Sequence, residues 1–352
     1  MSTFYVILAI FLFGVLVGIH ELGHFLVAKA CNVRVEEFSL GMGPAIFSKQ
    51  KGETLYSLRC VPFGGYCAMA GEDEESEDPR AFTNMVAWKR ILILVAGSFM
   101  NFVLGLVIVI LLYSGAYAFR STELVGFKDG CPYTGAEALM EGDRIWKIDG
   151  KRVYQYYNVT EFLAAGDGVY DIVVMRDGEK VELKDFEMVP IEYPDQQGKM
   201  YGFYMGYDEA TLPVKLRNAW DTCMEFSRMV WMGLSELSKG NVAMDDMAGP
   251  VGIVDMMAET GANAESTGDA LYSIFYFTAF IAVNLAIMNM LPIPALDGGR
   301  VFLLGVTWII EKIIGKKLDP KYEGYIHAGG MILLLGLMAM IMFNDIIRII
   351  TG

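Results

Sequence analysis

Four long apolar runs punctuate this chain, over residues 4–30, 91–119, 270–291 and 325–350. Each has the roughly 20 residues that a helix needs to cross about 30 Å of hydrocarbon, so each predicts a transmembrane helix. The third run ends at Pro292-Ile293-Pro294, where two prolines must break a helix. Residues 301–314 form a shorter apolar stretch and predict a partly buried or interfacial helix. Between the second and third runs the pattern changes to short alternating segments at 125–127, 141–151 and 171–175, separated by Gly-Asp and Asp-Gly turns. That alternation predicts a small β-rich domain over 122–205. Over 214–239 the apolar Leu216, Trp220, Cys223, Met224, Val230, Leu234 and Leu237 recur at helical spacing, with Lys215, Arg217, Asp221, Glu225, Arg228 and Glu236 between them. Those charges exclude a simple span. They leave a helix lying in the membrane interface or one packed against the small domain.

The predicted organisation is therefore a polytopic α-helical membrane protein with one inserted β-rich domain. Residues 1–119 form the first half of the membrane core and 120–208 the inserted domain. Residues 209–268 form an amphipathic helix and linker, and 269–352 the second half of the core.

Composition agrees: 54% of residues are hydrophobic, with Met (23) and Phe (21) abundant. The formal charge of −14 includes the acidic run at 72–78 and suits solvated loops, not a nucleic-acid footprint. Five scattered cysteines form no CxxC pair and predict neither a zinc knuckle nor a disulfide framework. The first run lacks a basic leader and a small-residue cleavage site, so it reads as a span and not as a signal peptide. Basic residues set the expected orientation. Arg34, Lys49, Lys51, Arg59, Arg80, Lys89 and Arg90 follow the first run, and Arg300, Lys312, Lys316, Lys317 and Lys321 precede the last. Both connections are expected in the cytoplasm, with the β-rich domain outside it.

The chemistry enters with His20-Glu21-Leu22-Gly23-His24, inside the first run. On a helix the two imidazoles share a face and can reach one zinc ion, with Glu21 beside a water on it. Ionisable groups at membrane depth are costly unless paired or ligated, so three within five residues mark a functional site. Catalytic zinc usually has three protein ligands. In the predicted topology Asp297 reaches the same depth as HELGH and is the candidate third ligand. Alone, it would read as a helix cap or turn residue. Asn289 and Asn101 are candidates to hold a substrate backbone or a developing oxyanion; interhelical hydrogen bonding is the competing role. The glycine-rich stretch containing Gly64 and Gly65 adjoins a run at 54–61 that predicts a β-hairpin dipping toward the site, whose edge could pair with an extended substrate. A membrane scaffold or zinc-handling protein is the competing function. Glu21 argues against both, because hydrolysis needs a carboxylate beside the first ligand and they do not.

These residues resemble the site-2 protease family, in its bacterial branch of intramembrane zinc metalloproteases of the regulator of sigma-E protease type. HELGH resembles the family's HExxH, and the stretch from Asn289 to Gly299 resembles its NxxPxPxLDG. Supporting stretches are Pro62-Phe63-Gly64-Gly65-Tyr66, Trp88-Lys89-Arg90 and Gly249-Pro250-Val251-Gly252-Ile253. The resemblance implies one zinc per chain on His20, His24 and Asp297, with Glu21 as catalytic base. It implies a PDZ domain between the second and third spans and membrane-associated β-hairpin segments. It also implies a bacterial inner-membrane location and single-span substrates such as anti-sigma factors or signal-peptide remnants. Departures are Ala96-Gly97-Ser98, where the family has a proline, and Glu137-Ala138-Leu139, where Ala-Gly-Leu is usual. The length leaves room for one PDZ copy where relatives often have two.

Overall fold

The computed structural model describes residues 3–72, 76–135, 137–194, 197–241, 249–315 and 321–351. Lys316 and Lys317, used above for orientation, lie outside them.

Helix α1 (Thr3–Ala30) is apolar on nearly every side, as a lipid-facing helix must be, and the chain turns away through Asn32 in the left-handed region. Two long strands follow, β1 (Val35–Lys51) and β2 (Thr54–Met69), paired antiparallel with repeated register shifts. Because of those shifts, residues 37–40 are partnered by 65–68 as well as by 55–58, while 45–51 pair with 54–59. The ribbon therefore folds back on itself. Gly41, Gly43 and Gly64 sit at positive φ where it bends. Its far part exposes Leu40, Met42, Ile46, Phe47, Leu58 and Val61, an apolar surface that suits lipid and not water. Its near part packs Phe38 and Tyr56 against Phe25 of α1.

Helix α2 (Ala87–Tyr113) ends six residues earlier than its hydropathy predicts. The Ser114 hydroxyl bonds the Leu111 carbonyl, Gly115 follows, and Phe119 already belongs to strand β3 (Ala118–Phe127). A hydropathy run cannot separate a span from an apolar strand that continues it.

By Cα clustering the chain forms two units, Met1–Ile108 with Phe226–Gly352, and Val109–Glu225. The second unit is the β-rich one. After β3 come β4 (Arg144–Ile148), β5 (Lys151–Arg152), α3 (Tyr156–Ala165), β6 (Val169–Arg176), β7 (Glu179–Glu187), β8 (Ile191–Glu192), β9 (Lys199–Met200) and β10 (Phe203–Glu209), and then the first half of α4 (Leu212–Ser238). The main sheet runs β10-β3-β4-β6-β7, with β5 on β4. β6 and β7 join through Asp177-Gly178, both at positive φ as a two-residue hairpin turn requires. Leu124, Leu139, Ile145, Ile148, Phe162, Ile172 and Val174 fill the core. The Gly142-Asp143 turn is fixed from inside: Asp143 is fully buried, accepts two 2.7 Å bonds from Arg176, and takes the Met140 N–H at 2.8 Å.

In the first unit the later helices are α5 (Pro250–Ala262), α6 (Thr267–Met288), α7 (Asp297–Ile314) and α8 (Lys321–Thr351). Among the described residues, four helices are long and apolar enough to cross a membrane: α1, α2, α6 and, within α8, Gly324–Phe343. α5 occupies a stretch read from sequence as linker. Its Val254 and Met257 pack with Leu12 and Leu16 of α1 and Ile274 and Ile281 of α6. The first turn of α5 is capped from α8, whose Asp345 Oδ2 accepts the Gly249 and Gly252 N–H groups at 3.0 and 2.9 Å.

In the β-rich unit, Asp208 accepts 2.9 Å bonds from both Arg144 terminal nitrogens and a 2.5 Å bond from Arg217. Hydrogen bonding to Arg144 holds its carboxyl down at about 2. A depressed carboxylate contributes stability above the ordinary pKa near 3.9 and loses it as pH falls through the folded value. Hydrogen-exchange protection of β3 and β10, corrected for intrinsic rates, should therefore fall as the full-length chain is taken from pH 5 toward pH 2. Asp208→Asn should lower protection at pH 5 and flatten that fall; an unchanged slope would assign the pH dependence elsewhere.

Candidate metal centre and active site

HELGH lies in the second half of α1, and the 3.6-residue repeat puts His20 and His24 on one face. Both are buried. Asp297 comes from the first turn of α7, far along the sequence, and its Oδ2 lies 3.1 Å from His20 Nε2 and 3.2 Å from His24 Nε2. The two Nε2 atoms are 3.1 Å apart. Three potential ligand atoms from opposite ends of the chain thus form a near-equilateral triangle.

The surroundings of this triangle leave it short of positive charge. His24 Nδ1–H donates to the Ile93 carbonyl of α2 at 2.8 Å, and a carbonyl can only accept. In neutral His24 the proton is therefore on Nδ1, and Nε2 turns a bare lone pair toward Asp297 Oδ2. Asn101, also on α2 and buried, brings its amide to 3.5 Å from His20 Nδ1 while its own Oδ1 has no hydrogen-bond partner. With the amide turned so that oxygen faces the ring, Asn101 accepts Nδ1–H and leaves His20 Nε2 bare as well. Asp297 Oδ2 is likewise buried without a hydrogen-bond partner. Two imidazole lone pairs and a carboxylate oxygen facing one another within 3.2 Å suit a cation between them. Tetrahedral zinc with ligand bonds of about 2.0–2.1 Å separates neighbouring ligand atoms by about 3.3 Å, close to the edges seen here.

Helix α2 can come this close because of glycine. A β-carbon on Gly97 would fall within 2.8 Å of Cε1 of both histidines, and one on Gly23 of α1 would strike the Ala96 carbonyl. Gly97 and the Ile93 carbonyl were not singled out from sequence. The only sign of the first is a glycine inside an apolar run; the second is a backbone atom and leaves no sign.

Glu21 is partly buried beside the imidazoles. Gly65, on β2, packs so tightly that a β-carbon would meet Glu21 Cγ at 3.2 Å. Gly64, at φ 96°, lies against the Met42 side chain. Asn289 ends α6, where its carbonyl accepts the Gly298 N–H at 2.7 Å and so closes the loop that presents Asp297. Gly298 and Gly299 lack room for a side chain against the main chain of Met290 and Ile293. Arg300, one turn into α7, is paired with Glu72 beyond the end of β2. The structure therefore gathers His20, His24 and Asp297, sets Glu21 beside Gly65, puts Asn101 behind His20, and gives Asn289 a main-chain role in the loop.

A bundle of membrane-spanning helices with an HExxH helix and a distant aspartate at one point defines an intramembrane metallopeptidase. Residues 8–337 match the model of Peptidase family M50, and the chain belongs to that family, the site-2 proteases. A Clostridium perfringens protein whose name includes the words zinc metalloprotease is 34% identical, covering 97% of this chain and 98% of its own length. Regulator of sigma-W protease RasP of Bacillus subtilis is 28% identical, with 98% of each chain covered, and zinc metalloprotease RasP of Oceanobacillus iheyensis is also 28% identical, covering 98% and 99%. The protein is a zinc-dependent membrane metalloendopeptidase.

Gly97→Ala should force the imidazoles off α2. The expected result is zinc content well below one per chain in purified protein, with helical content retained; full zinc occupancy would show that α2 does not limit the site.

Proposed function

We propose that the protein cleaves peptide bonds within or near the transmembrane segments of single-span membrane proteins, with His20, His24 and Asp297 holding zinc and Glu21 as the catalytic base. The convergence of three bare ligand atoms beside Glu21 carries this reading. Bound there, zinc supplies Lewis acidity, drawing the pKa of a water toward about 7. Glu21 takes a proton from the attacking water and returns it to the leaving amine. Ile93 and Asn101 keep the imidazole protons on Nδ1, so the Nε2 atoms stay available as ligands. Asn289 and Asn101 remain candidates to contact the substrate backbone.

A substrate helix hides its peptide bonds in its own hydrogen-bond ladder and must be extended before cleavage. Residues 65–68 of β2 pair with 37–40 on one side, and among the described residues no strand pairs with them on the other. This edge carries Gly65 and runs past Glu21. An extended segment added along it, over Gly64 and Gly65, would have its backbone satisfied in lipid and its scissile bond near the base. The β-rich unit is proposed as a PDZ-like domain that gates access, supported by its main sheet with α3 packed into the core and by its buried Asp143 turn. The basic connections support a metal-centre end on the cytoplasmic side and a PDZ-like domain outside, in a bacterial inner membrane. The substrate class proposed is anti-sigma factors or signal-peptide remnants.

Glu21→Gln in reconstituted membranes, assayed against a panel of single-span segments, should reduce cleavage about 10²–10⁴-fold with zinc content unchanged. Cleavage at the wild-type rate would remove Glu21 as the base. Failure of the wild type to cleave any segment would favour the scaffold reading. His24→Ala and Asp297→Ala should each lose the metal.

A further inference from the structure

The chain has three histidines, and the third, His327, belongs to no motif read from the sequence. It lies on α8, a helix that exposes Ile332, Leu333, Leu335, Met338 and Phe343 as a lipid-facing helix does. His327 is instead only 9% exposed, and its Nδ1 accepts the Ala295 N–H at 3.2 Å. A polar ring withdrawn from solvent within the apolar Gly324–Phe343 span of α8 needs a purpose for its hydrogen bond.

Ala295 supplies the purpose. Its φ is +78°, in the left-handed region that an alanine enters at a steric cost and keeps only when its surroundings impose it. Within the loop, Leu296 N–H bonds the Ile293 carbonyl and Gly298 N–H bonds the Asn289 carbonyl. From outside, α8 adds His327 on Ala295 and, one turn on and on the same face, Gly330 under Pro294, where a β-carbon would strike the proline main chain. Two residues after Ala295 comes Asp297, whose Oδ2 must stay within 3.2 Å of both imidazoles. His20 and His24 are held on one rigid helix, whereas Asp297 is only as well placed as the turn that delivers it.

We propose that His327 is a positioning residue: by accepting the Ala295 N–H it holds the left-handed turn that keeps Asp297 in register with His20 and His24. This rests on the reading of Asp297 as a ligand. Relaxation of Ala295 to an ordinary φ would rotate the first turn of α7 and carry the carboxylate away. Ligand supports at one remove from a metal commonly change its affinity by about 10–100-fold when lost.

The test uses purified full-length protein, with zinc affinity measured by chelator competition and ligand geometry by the absorption spectrum of the Co²⁺-substituted form. His327→Leu, which keeps bulk without an acceptor, should weaken zinc about tenfold and alter the Co²⁺ spectrum. His327→Asn, whose Oδ1 occupies the place of Nδ1, should restore affinity to within about threefold and recover the wild-type spectrum. Gly330→Ala, which disturbs the same loop while leaving His327, should weaken zinc in the same direction and covers the case in which His327→Leu does not fold. Wild-type affinity in His327→Leu overturns the proposal, as does equal loss in His327→Leu and His327→Asn, and so does unchanged affinity in Gly330→Ala. Asp297→Ala separates the two readings. If it keeps zinc, the ligand assignment fails; if it loses zinc while His327→Leu matches the wild type, only the role of His327 fails.

Discussion

Three electron-rich atoms held within 3.2 Å of one another, in a protein that crosses lipid, form the constraint around which the rest is arranged. Such a cluster is unfavourable until a cation joins it, and every element nearby serves to stop it from relaxing. α2 fixes the proton on His24 through a backbone carbonyl, which cannot reverse its role. The Asn289–Gly298 bond and the crowded pair Gly298 and Gly299 stop the Asp297 turn from opening. The pair between Glu72 and Arg300 ties the start of α7 to the end of the hairpin. These contacts hold the three atoms in place from several elements at once, and binding loses least to ordering where ligands are already positioned.

Helix association in lipid lacks a hydrophobic drive between apolar faces, so close approach must come from small residues. Gly23 and Gly97 let α1 and α2 meet at the imidazoles, and Gly105 lets α2 meet α6 beside Val283 and the Ala279 carbonyl. Structure and chemistry share residues here. The glycine that brings two helices together also leaves the space that the two imidazoles occupy.

How much could be read from sequence follows from what sequence records. HELGH and Asp297 were legible because ionisable groups stand out against an apolar background. The spans were legible because length and hydropathy suffice for them. The end of α2 was misjudged because Ala116, Tyr117, Ala118 and Phe119 are as suited to a strand as to a membrane helix. α5 was missed because its mixed sequence lacks a long apolar run, and only packing against α1 and α6 makes it a helix. The Ile93 carbonyl and the strained turn at Ala295 left no trace, being properties of the backbone. His327 looked like an ordinary residue near a helix start until the partner of its Nδ1 was known.

The ribbon of β1 and β2 raises the same problem of satisfaction. A strand edge in lipid leaves main-chain donors and acceptors with nothing to bond, each costing several kcal/mol, so an open edge at membrane depth is normally excluded. Folding the ribbon back on itself satisfies 37–40 on both sides and leaves 65–68 bordered on one side only by the helix that carries Glu21. A segment arriving as a helix has the reverse difficulty: leaving its ladder exposes its own peptide groups. In the proposed mode of binding each side supplies what the other lacks, and the energy that opposes unwinding in lipid is offset where the edge runs past the proposed base, Glu21. On this argument substrate choice depends on how readily a segment's helix yields to the edge, and the small side chains at Gly64 and Gly65 leave its backbone room to approach.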